Sequence, residues 1–312
     1  MKLALLACHF NPCAYQSRVR NLHHFINGII AAGLAPDLFM AECVFPGQEP
    51  ALGGDLPFHL KTISATSILW QKEALLNDLA AELPEEYTHI AIIDADVILP
   101  ENFVETTLGA LAHTPLLQPW DRAMELRQDG SEHRVRASTT AGHRHGSSPA
   151  RLSNWDCYHP GYVWAMARSF FTDGPGLYPC HIGGSADTLL ALAAFTGILP
   201  DFQHSNKAFS QDICNYLAAV RAWFPAGPFS PPPDSPPLRI LPHGSLTDRG
   251  YYSILPALAD FDPARDLVGC GRTCPLEWSD QGLATTLPET IAAWFASRQE
   301  DGPPEPFEQG IV

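Results

Sequence analysis

The chain has 312 residues, of which 46% are hydrophobic and 17% are charged, and its 34 acidic and 19 basic side chains give a formal net charge of −15. This composition is typical of a globular protein with a sizeable apolar core, and it excludes a largely disordered chain. The negative balance disfavours a general nucleic-acid binder, because phosphate backbones attract basic surfaces. It leaves room for a locally basic pocket that binds one phosphorylated small molecule.

The first third of the chain alternates between strand and helix patterns. Short apolar runs indicate strands, and apolar residues spaced three and four apart indicate helices. In chain order, the predicted elements are a strand at Leu3–Cys8, a helix at Arg18–Ala32, a strand at Asp37–Phe45, a helix at Ser67–Leu83, a strand at His89–Ile93 and a helix at Phe103–Leu111. This alternation predicts an α/β fold with a mainly parallel central sheet flanked by helices.

The remainder of the chain contains stretches of unusual composition. Residues 127–151 are polar and rich in His, Ser and Gly, which predicts a long loop and, as a hypothesis, a lid over a ligand. Residues 225–237 contain seven prolines and predict a surface excursion. We expect one domain over residues 1–270, followed by a C-terminal extension and tail at 271–312.

The chain shows no pattern of a secreted or membrane-spanning protein. The apolar run before Cys8 is too short for a secretory signal, and no stretch approaches the roughly 20 apolar residues that cross a bilayer. The eight cysteines are dispersed and lack the paired spacing of a zinc site. We therefore expect a cytoplasmic protein with reduced thiols and no transmembrane segment.

Two carboxylates follow the most apolar of the predicted strands. Asp94 and Asp96 come directly after the run His89–Ile93. At the carboxyl end of a parallel strand, they project into the crevice where open α/β sheets bind ligands. Their oxygens can hold a hard divalent cation, with water and substrate phosphates completing its shell. A strand-end turn capped by Asp94 is the structural alternative.

With several later segments, this region resembles the GT-A-fold nucleotide-sugar glycosyltransferases of the family 2 type. The matching segments are Trp70–Asn77, Asp94-Ala95-Asp96, His159–Ala165 with Arg168, His181–Asp187, and His243-Gly244-Ser245 with Arg249-Gly250-Tyr251. The resemblance covers roughly residues 1–270 and implies a single-domain, GT-A-like (Rossmann-like) sheet. It implies metal-dependent transfer of a hexose from a nucleotide diphosphate sugar, in the first place a UDP-sugar, to a hydroxyl acceptor that is a glycan, lipid-linked or other.

The resemblance also implies roles for individual residues. Asp94, Asp96 and His243 would hold Mn²⁺ or Mg²⁺, which neutralises the charge of the leaving diphosphate. The residues that would bind the donor are Asn11, Tyr15, Arg18, Asn21, Lys72, Asp94, Arg249 and Tyr251. For the basic residues among them, solvated surface positions are the alternative.

On the acceptor side, Asp187 is the candidate general base, because a carboxylate can take the proton of an attacking hydroxyl. It precedes an apolar helix at Thr188–Phe195, so a helix N-cap is the alternative. The family's usual pair of adjacent acids is reduced here to Asp187 alone, and both inversion and retention stay open. The candidate acceptor-binding residues are Trp164, Gly183 and Gly184, and a core position is the alternative for Trp164.

Two other classes of function remain open. A haloacid-dehalogenase-like phosphatase would use Asp94 as nucleophile and Asp96 as general acid, but position 98 is Ile and no Asp-Asp pair follows. A catalytically inactive module would keep the fold and bind nucleotide sugars or glycans without a working base. Nucleic acid is disfavoured as a partner by the net charge unless one face is locally basic.

Overall fold

The structure is a computed structural model, and it describes residues 1–152, 157–195, 207–225, 227, 235–250 and 253–302. The strands are β1 (Leu3–Phe10), β2 (Leu38–Val44), β3 (His59–Ser64), β4 (His89–Ile93), β5 (Val97–Ile98), β6 (Leu116–Leu117), β7 (Arg122–Leu126), β8 (Glu132–Ala137), β9 (Val163–Ala167) and β10 (Leu238–Ile240). The helices are α1 (Gln16–Ala31), α2 (Lys72–Glu82), α3 (Phe103–Leu111), α4 (Thr139–Arg144), α5 (Pro149–Leu152), α6 (Ser169–Thr172), α7 (Ala186–Phe195), α8 (Lys207–Trp223), α9 (Leu246–Arg249), α10 (Pro263–Asp266), α11 (Asp280–Leu283) and α12 (Leu287–Ser297).

The central sheet has six strands in the order β3-β2-β1-β4-β9-β6. The first four are parallel, and β9 runs antiparallel to both of its neighbours. The chain proceeds outward from β1 to β3 and then returns to place β4 on the other side of β1. The mainly parallel α/β sheet that the sequence predicts is confirmed, and its strand order reverses between β1 and β4. Open α/β sheets bind ligands at such a reversal.

Strand β4 is apolar throughout because both of its faces are covered. Ile90 and Ile92 belong to the hydrophobic cluster on the α2 side of the sheet, whereas Ala91 and Ile93 belong to the cluster on the α1 side. All four side chains are at most 6% exposed. A strand with this double cover cannot alternate polar and apolar residues.

A second sheet of four strands, ordered β5-β10-β7-β8, lies beside the first. Strand β5 starts directly after Asp96, and β10 ends shortly before His243. The backbone N–H of Leu241 donates to the Asp96 carbonyl at 2.8 Å. This small sheet, which the sequence analysis did not predict, brings two of the predicted metal ligands together.

The predicted long loop at 127–151 differs from the structure, because β8, α4 and α5 lie within it. Strand β8 has no apolar alternation: its Arg134 and Arg136 form ion pairs with Glu125 of β7, and Val135 is 53% exposed. A strand that is paired through charges gives no periodic apolar signal.

Helix α2 begins at Lys72, five residues later than predicted. The preceding backbone is held by the C-terminal part of the chain: the Ser67 N–H donates to Glu277, and the Gln71 side chain bonds the Leu276 backbone in both directions. These contacts compete with helix formation.

The described part of the predicted C-terminal extension packs against the domain. Trp278, Ile291, Trp294 and Phe295 belong to the same hydrophobic cluster as β1 and α2. Most of the proline-rich excursion and residues 303–312 lie outside the described residues. Within the described part of the chain, no helix is long and apolar enough to cross a membrane.

Candidate active site

A cleft of about 130 Å³ opens at the carboxyl ends of β1 and β4, where the strand order reverses. Its walls come from the end of β1, the start of α1, the start of α2, the segments after β4, β10 and α12, the segment before β9, and the start of α7. Of the predicted site residues, it is lined by Arg18, Asn21, Lys72, Asp94, Asp96, Asp187, His243 and Arg249. Residues that are far apart in the chain therefore meet at one site.

Asp94 and Asp96 lie in the tight turn between β4 and β5, in which the Val97 N–H donates to the Asp94 carbonyl at 3.1 Å. Asp94 forms an ion pair with Lys72, with 2.5 Å between Nζ and Oδ1. Burial raises the pKa of Asp94, and Lys72 opposes that rise. Burial alone would lower the pKa of Lys72, but Asp94 and Asp187 outweigh it and raise the pKa. Lys72 is thus a cationic residue of the cleft and not a surface lysine.

Asp96 accepts a hydrogen bond from His243, with 2.7 Å between Nε2 and Oδ2. Burial alone would raise the pKa of Asp96, but the hydrogen bond from His243 and the nearby Arg249 and Arg18 lower it. The other carboxylate oxygen, Oδ1, is buried without a hydrogen-bond partner within the described residues. Asp96 is therefore an ionised carboxylate with one oxygen available to a ligand.

Two of the three predicted metal ligands fit a divalent cation. Asp96 Oδ2 and His243 Nε2 lie 2.7 Å apart, close to the separation of about 3 Å between neighbouring ligands of an octahedral ion. To bind such an ion, Nε2 would give up the proton that it donates to Asp96, and the imidazole would carry its proton on Nδ1. The third, Asp94, has its carboxylate bound by Lys72. Among the described residues no three His, Cys, Asp or Glu side chains form a metal cage. The donor set suits an ion that takes its other ligands from water and phosphate.

Arg249, at the end of α9, lies next to His243. Its Nη2 donates to the His243 carbonyl at 3.0 Å, and its Nε is buried without a partner among the described residues. The helix is capped by Ser245, whose Oγ accepts from the Asp248 N–H. Arg249 therefore holds the His243 backbone and keeps one donor for a ligand. Tyr251, the other donor-binding prediction here, lies outside the described residues.

The predicted donor residues of the β1–α1 loop and of the start of α1 have two different roles. Asn11 closes the loop by bonding the Tyr15 backbone at 2.9 and 3.0 Å, and the Tyr15 hydroxyl donates to the carbonyls of Phe295 and Ala296. Neither Asn11 nor Tyr15 lines the cleft. Arg18 does, as does Asn21, whose amide donates to Pro242 O at 3.1 Å.

The sequence analysis missed two charged residues from the segment after α12. Glu300 is 1% exposed and forms ion pairs with Arg18 at 3.0 Å and with Arg298 at 2.6 Å. Burial alone would raise the pKa of Glu300, but Arg18 and Arg298 lower it strongly. Arg298 also lies over the rings of Trp70 and Trp294 and lines the cleft. Only the pattern of an apolar helix followed by Arg-x-Glu could have pointed to them.

Asp187 lies at the start of α7, where its Oδ1 accepts from the Thr188 N–H at 2.8 Å. The carboxylate also lines the cleft and a smaller cavity beneath it. Its Oδ2 lies against Gly161, since a Cβ built there would come closer than 3.0 Å. Asp187 therefore occupies the first turn of α7 and also lines the cleft, so the two alternatives do not exclude each other.

The three predicted acceptor residues lie behind the cleft wall. Trp164 is 1% exposed in β9 and donates to Pro160 O at 2.6 Å, although it borders the smaller cavity. Gly183 backs onto Ile254, and Gly184 backs onto the ring of Trp70. Gly183 and Gly184 therefore allow protein side chains to approach the backbone closely. The acceptor role of Trp164, Gly183 and Gly184 stays a prediction.

Two residues of the cleft wall have left-handed backbone that the sequence did not indicate. They are Tyr162 (φ 69°) and Ser185 (φ 73°). Tyr162 stacks on His159 with ring centroids 3.8 Å apart and donates to Glu125 at 2.9 Å. Bulky residues seldom adopt this conformation, and such strain is concentrated at functional sites.

No protein-family model matches this chain, and no curated protein matches it. Similar solved structures include Drosophila β1,4-galactosyltransferase 7 with manganese, UDP-Gal and xylobiose (12% identity, 61% of this chain and 59% of that chain, TM-score 0.31). They also include S. aureus TarS with UDP-GlcNAc (10%, 61% and 52%, 0.35) and a glycosyltransferase involved in the glycosylation of the major capsid of PBCV-1 (8%, 77% and 92%, 0.31).

Two of these proteins are named as sugar transferases, and the third is bound to a nucleotide sugar. The chain spans less than two thirds of the length of the first two. At TM-scores below 0.5 these similarities carry no argument, so the function of this chain rests on its own site.

Proposed function

We propose that the protein transfers a hexose from a nucleotide diphosphate sugar to a hydroxyl acceptor. A UDP-sugar is the first candidate for the donor. The observation that carries the proposal is the meeting of Asp96 and His243 at the reversal of the sheet, with Arg18 and Arg249 beside them. The cleft is lined by four cationic side chains, Arg18, Lys72, Arg249 and Arg298, and by four carboxyl groups, Glu73, Asp94, Asp96 and Asp187. Such a mixed lining suits a divalent cation bound together with an anionic diphosphate.

Asp96 and His243 would hold Mn²⁺ or Mg²⁺ together with phosphate oxygens and water. When bound, the ion neutralises the charge that develops on the leaving diphosphate. Asp94 would reach the ion through water or contact the ribose, because Lys72 binds its carboxylate. Arg249 would donate from its unpartnered Nε to a phosphate oxygen.

Arg18 and Asn21 would bind the nucleotide from the other wall of the cleft, and Lys72 adds positive charge at its base. Asn11 and Tyr15 are proposed to act on the donor indirectly, because their hydrogen bonds fix the loop that leads into α1, the helix that carries Arg18. Tyr251 stays a prediction for the donor diphosphate.

Asp187 is the proposed general base. The acceptor oxygen forms a bond to the anomeric carbon while the bond from that carbon to the diphosphate oxygen breaks, and its electron pair leaves with the diphosphate. The hydroxyl proton passes to the Asp187 carboxylate, which lines the cleft that also holds Asp96. The cytoplasmic location stays a prediction.

The test is turnover of UDP-sugars with Mn²⁺ and a panel of hydroxyl acceptors. We expect Asp187→Asn to bind nucleotide as the wild type does and to lose transfer, and Asp96→Ala to lose both. Release of inorganic phosphate without sugar transfer would favour the phosphatase. Nucleotide binding without any turnover would favour the inactive binding module.

A further inference from the structure

Glu73, the second residue of α2, is a buried carboxyl that has no role in the proposed mechanism. It is 4% exposed, and its Oε2 has no hydrogen-bond partner among the described residues. Burying an ionised carboxylate without partners is expensive, and an unsatisfied buried group in a native structure calls for an explanation. Glu73 also lines the cleft, so a role at the cleft would explain why this carboxyl group is buried.

A second, smaller cavity is lined by both Glu73 and the proposed base, Asp187. Its volume is about 20 Å³, and its lining includes Glu73, Asp187, Gly161 and Trp164. A polar cavity needs about 10–15 Å³ to hold a water molecule. The cavity therefore has room for one water molecule, and Glu73 and Asp187 both line it.

The charges around Glu73 favour its protonated form. Burial raises the pKa of Glu73 to about 8; Lys72 opposes the rise, and Asp187 and Asp94 add to it. The Tyr216 hydroxyl of α8 and the Cys8 thiol of β1 also sense the charge of Glu73, which raises the pKa of both groups. One ammonium group, that of Lys72, already serves Asp94 and Asp187, so a third ionised carboxylate would be uncompensated.

We propose that Glu73 is a positioning residue that stays protonated and donates a hydrogen bond, through a water of the small cavity, to the carboxylate of Asp187. This bond holds Asp187 toward the acceptor hydroxyl. The inference rests on the proposed transferase function. No bond breaks at Glu73 during the reaction: the acceptor proton goes to Asp187, and Glu73 keeps its own.

The test compares kcat as a function of pH for the wild type, Glu73→Gln and Glu73→Ala. Glutamine keeps a neutral hydrogen-bond donor, so we expect wild-type kcat at pH 7 and loss of the decline that the wild type shows above about pH 8. Alanine removes the donor, so we expect kcat to fall about tenfold or more with the donor KM unchanged. Glu82→Gln, on the exposed end of the same helix, is the matched control and should change neither.

A second measurement does not depend on turnover. We expect the infrared difference spectrum between the wild type and Glu73→Gln at pH 7 to show the carbonyl band of a protonated carboxyl that only the wild type has. Absence of that band, or a Glu73→Gln variant as inactive as Asp187→Asn, would overturn the proposal. If the wild type turns over no donor but shows the band, the proposed function fails while the buried proton on Glu73 stands.

Discussion

Gly161 allows the proposed base to be moved without changing its chemistry. A Cβ built on Gly161 would overlap Asp187 Oδ2, which would have to move by about 1 Å to reach ordinary contact. The backbone of Gly161 is not in the left-handed region, so alanine fits its conformation. Gly161→Ala therefore displaces the end of the Asp187 side chain and also brings the new Cβ to 3.0 Å from the ring of His159. We expect the fold to stay in place.

We expect Gly161→Ala to lower kcat by about 100-fold, because a misplacement of about 1 Å at a reacting group costs that much. This corresponds to about 2.7 kcal/mol of transition-state stabilisation. The donor KM and the thermal midpoint should stay close to the wild type, because the displaced group is a side-chain end that lines a cavity. The assay is sugar transfer at saturating donor, with nucleotide binding measured separately.

Gly109→Ala is the matched control, since a Cβ at Gly109 in α3 meets nothing within 4 Å. It should keep full activity and gain about 0.5–1 kcal/mol of stability, as alanine does over glycine inside a helix. A Gly161→Ala variant with wild-type kcat would refute the reasoning that Asp187 must sit where it does for transfer.

Two further predictions concern buried carboxylates. Burial alone would raise the pKa of Glu125, but Arg136 and Arg134 lower it to about 2, so its contribution to stability is present above pH 4.5 and is lost as the pH falls toward 2. Between pH 7 and pH 3, Glu125→Gln should therefore reduce the loss of unfolding free energy measured by urea denaturation by about 2 kcal/mol; parallel curves would contradict this. Glu300→Gln leaves the half-buried Arg18 and the buried Arg298 without their shared anion. We therefore expect a loss of about 3 kcal/mol of unfolding free energy in urea together with a raised donor KM, and unchanged values of both would count against the proposed role of this cluster.

The part of the fold that the sequence could predict is the part with local signals. Strand β4 and helix α3 were predicted with their observed bounds, because a doubly covered strand and an amphipathic helix leave a continuous apolar pattern. Asp94 and Asp96 were predicted from their position after β4 alone. The grouping of His243 with them depended on the resemblance, since β10 and β5 are 3 and 2 residues long and give no pattern.

The remainder depends on contacts between distant parts of the chain. The late start of α2 is determined by Glu277 and Leu276, about 200 residues further on. Glu300 and Arg298 reach the site only because α12 packs on the core beside Trp70. No local pattern separates such residues from an exposed tail.

The central claim is that Asp96 and His243 bind a metal and a nucleotide diphosphate together. The most direct measurement is the thermal midpoint with UDP, other nucleoside diphosphates and UDP-sugars, each with and without Mn²⁺, for the wild type and Asp96→Ala. A ligand at about 100 times its Kd stabilises the native state by about 2.7 kcal/mol, which raises the midpoint clearly. We predict a shift with at least one nucleotide that requires Mn²⁺ and is absent in Asp96→Ala. No shift with any nucleotide, or a shift that Asp96→Ala retains in full, would contradict the claim.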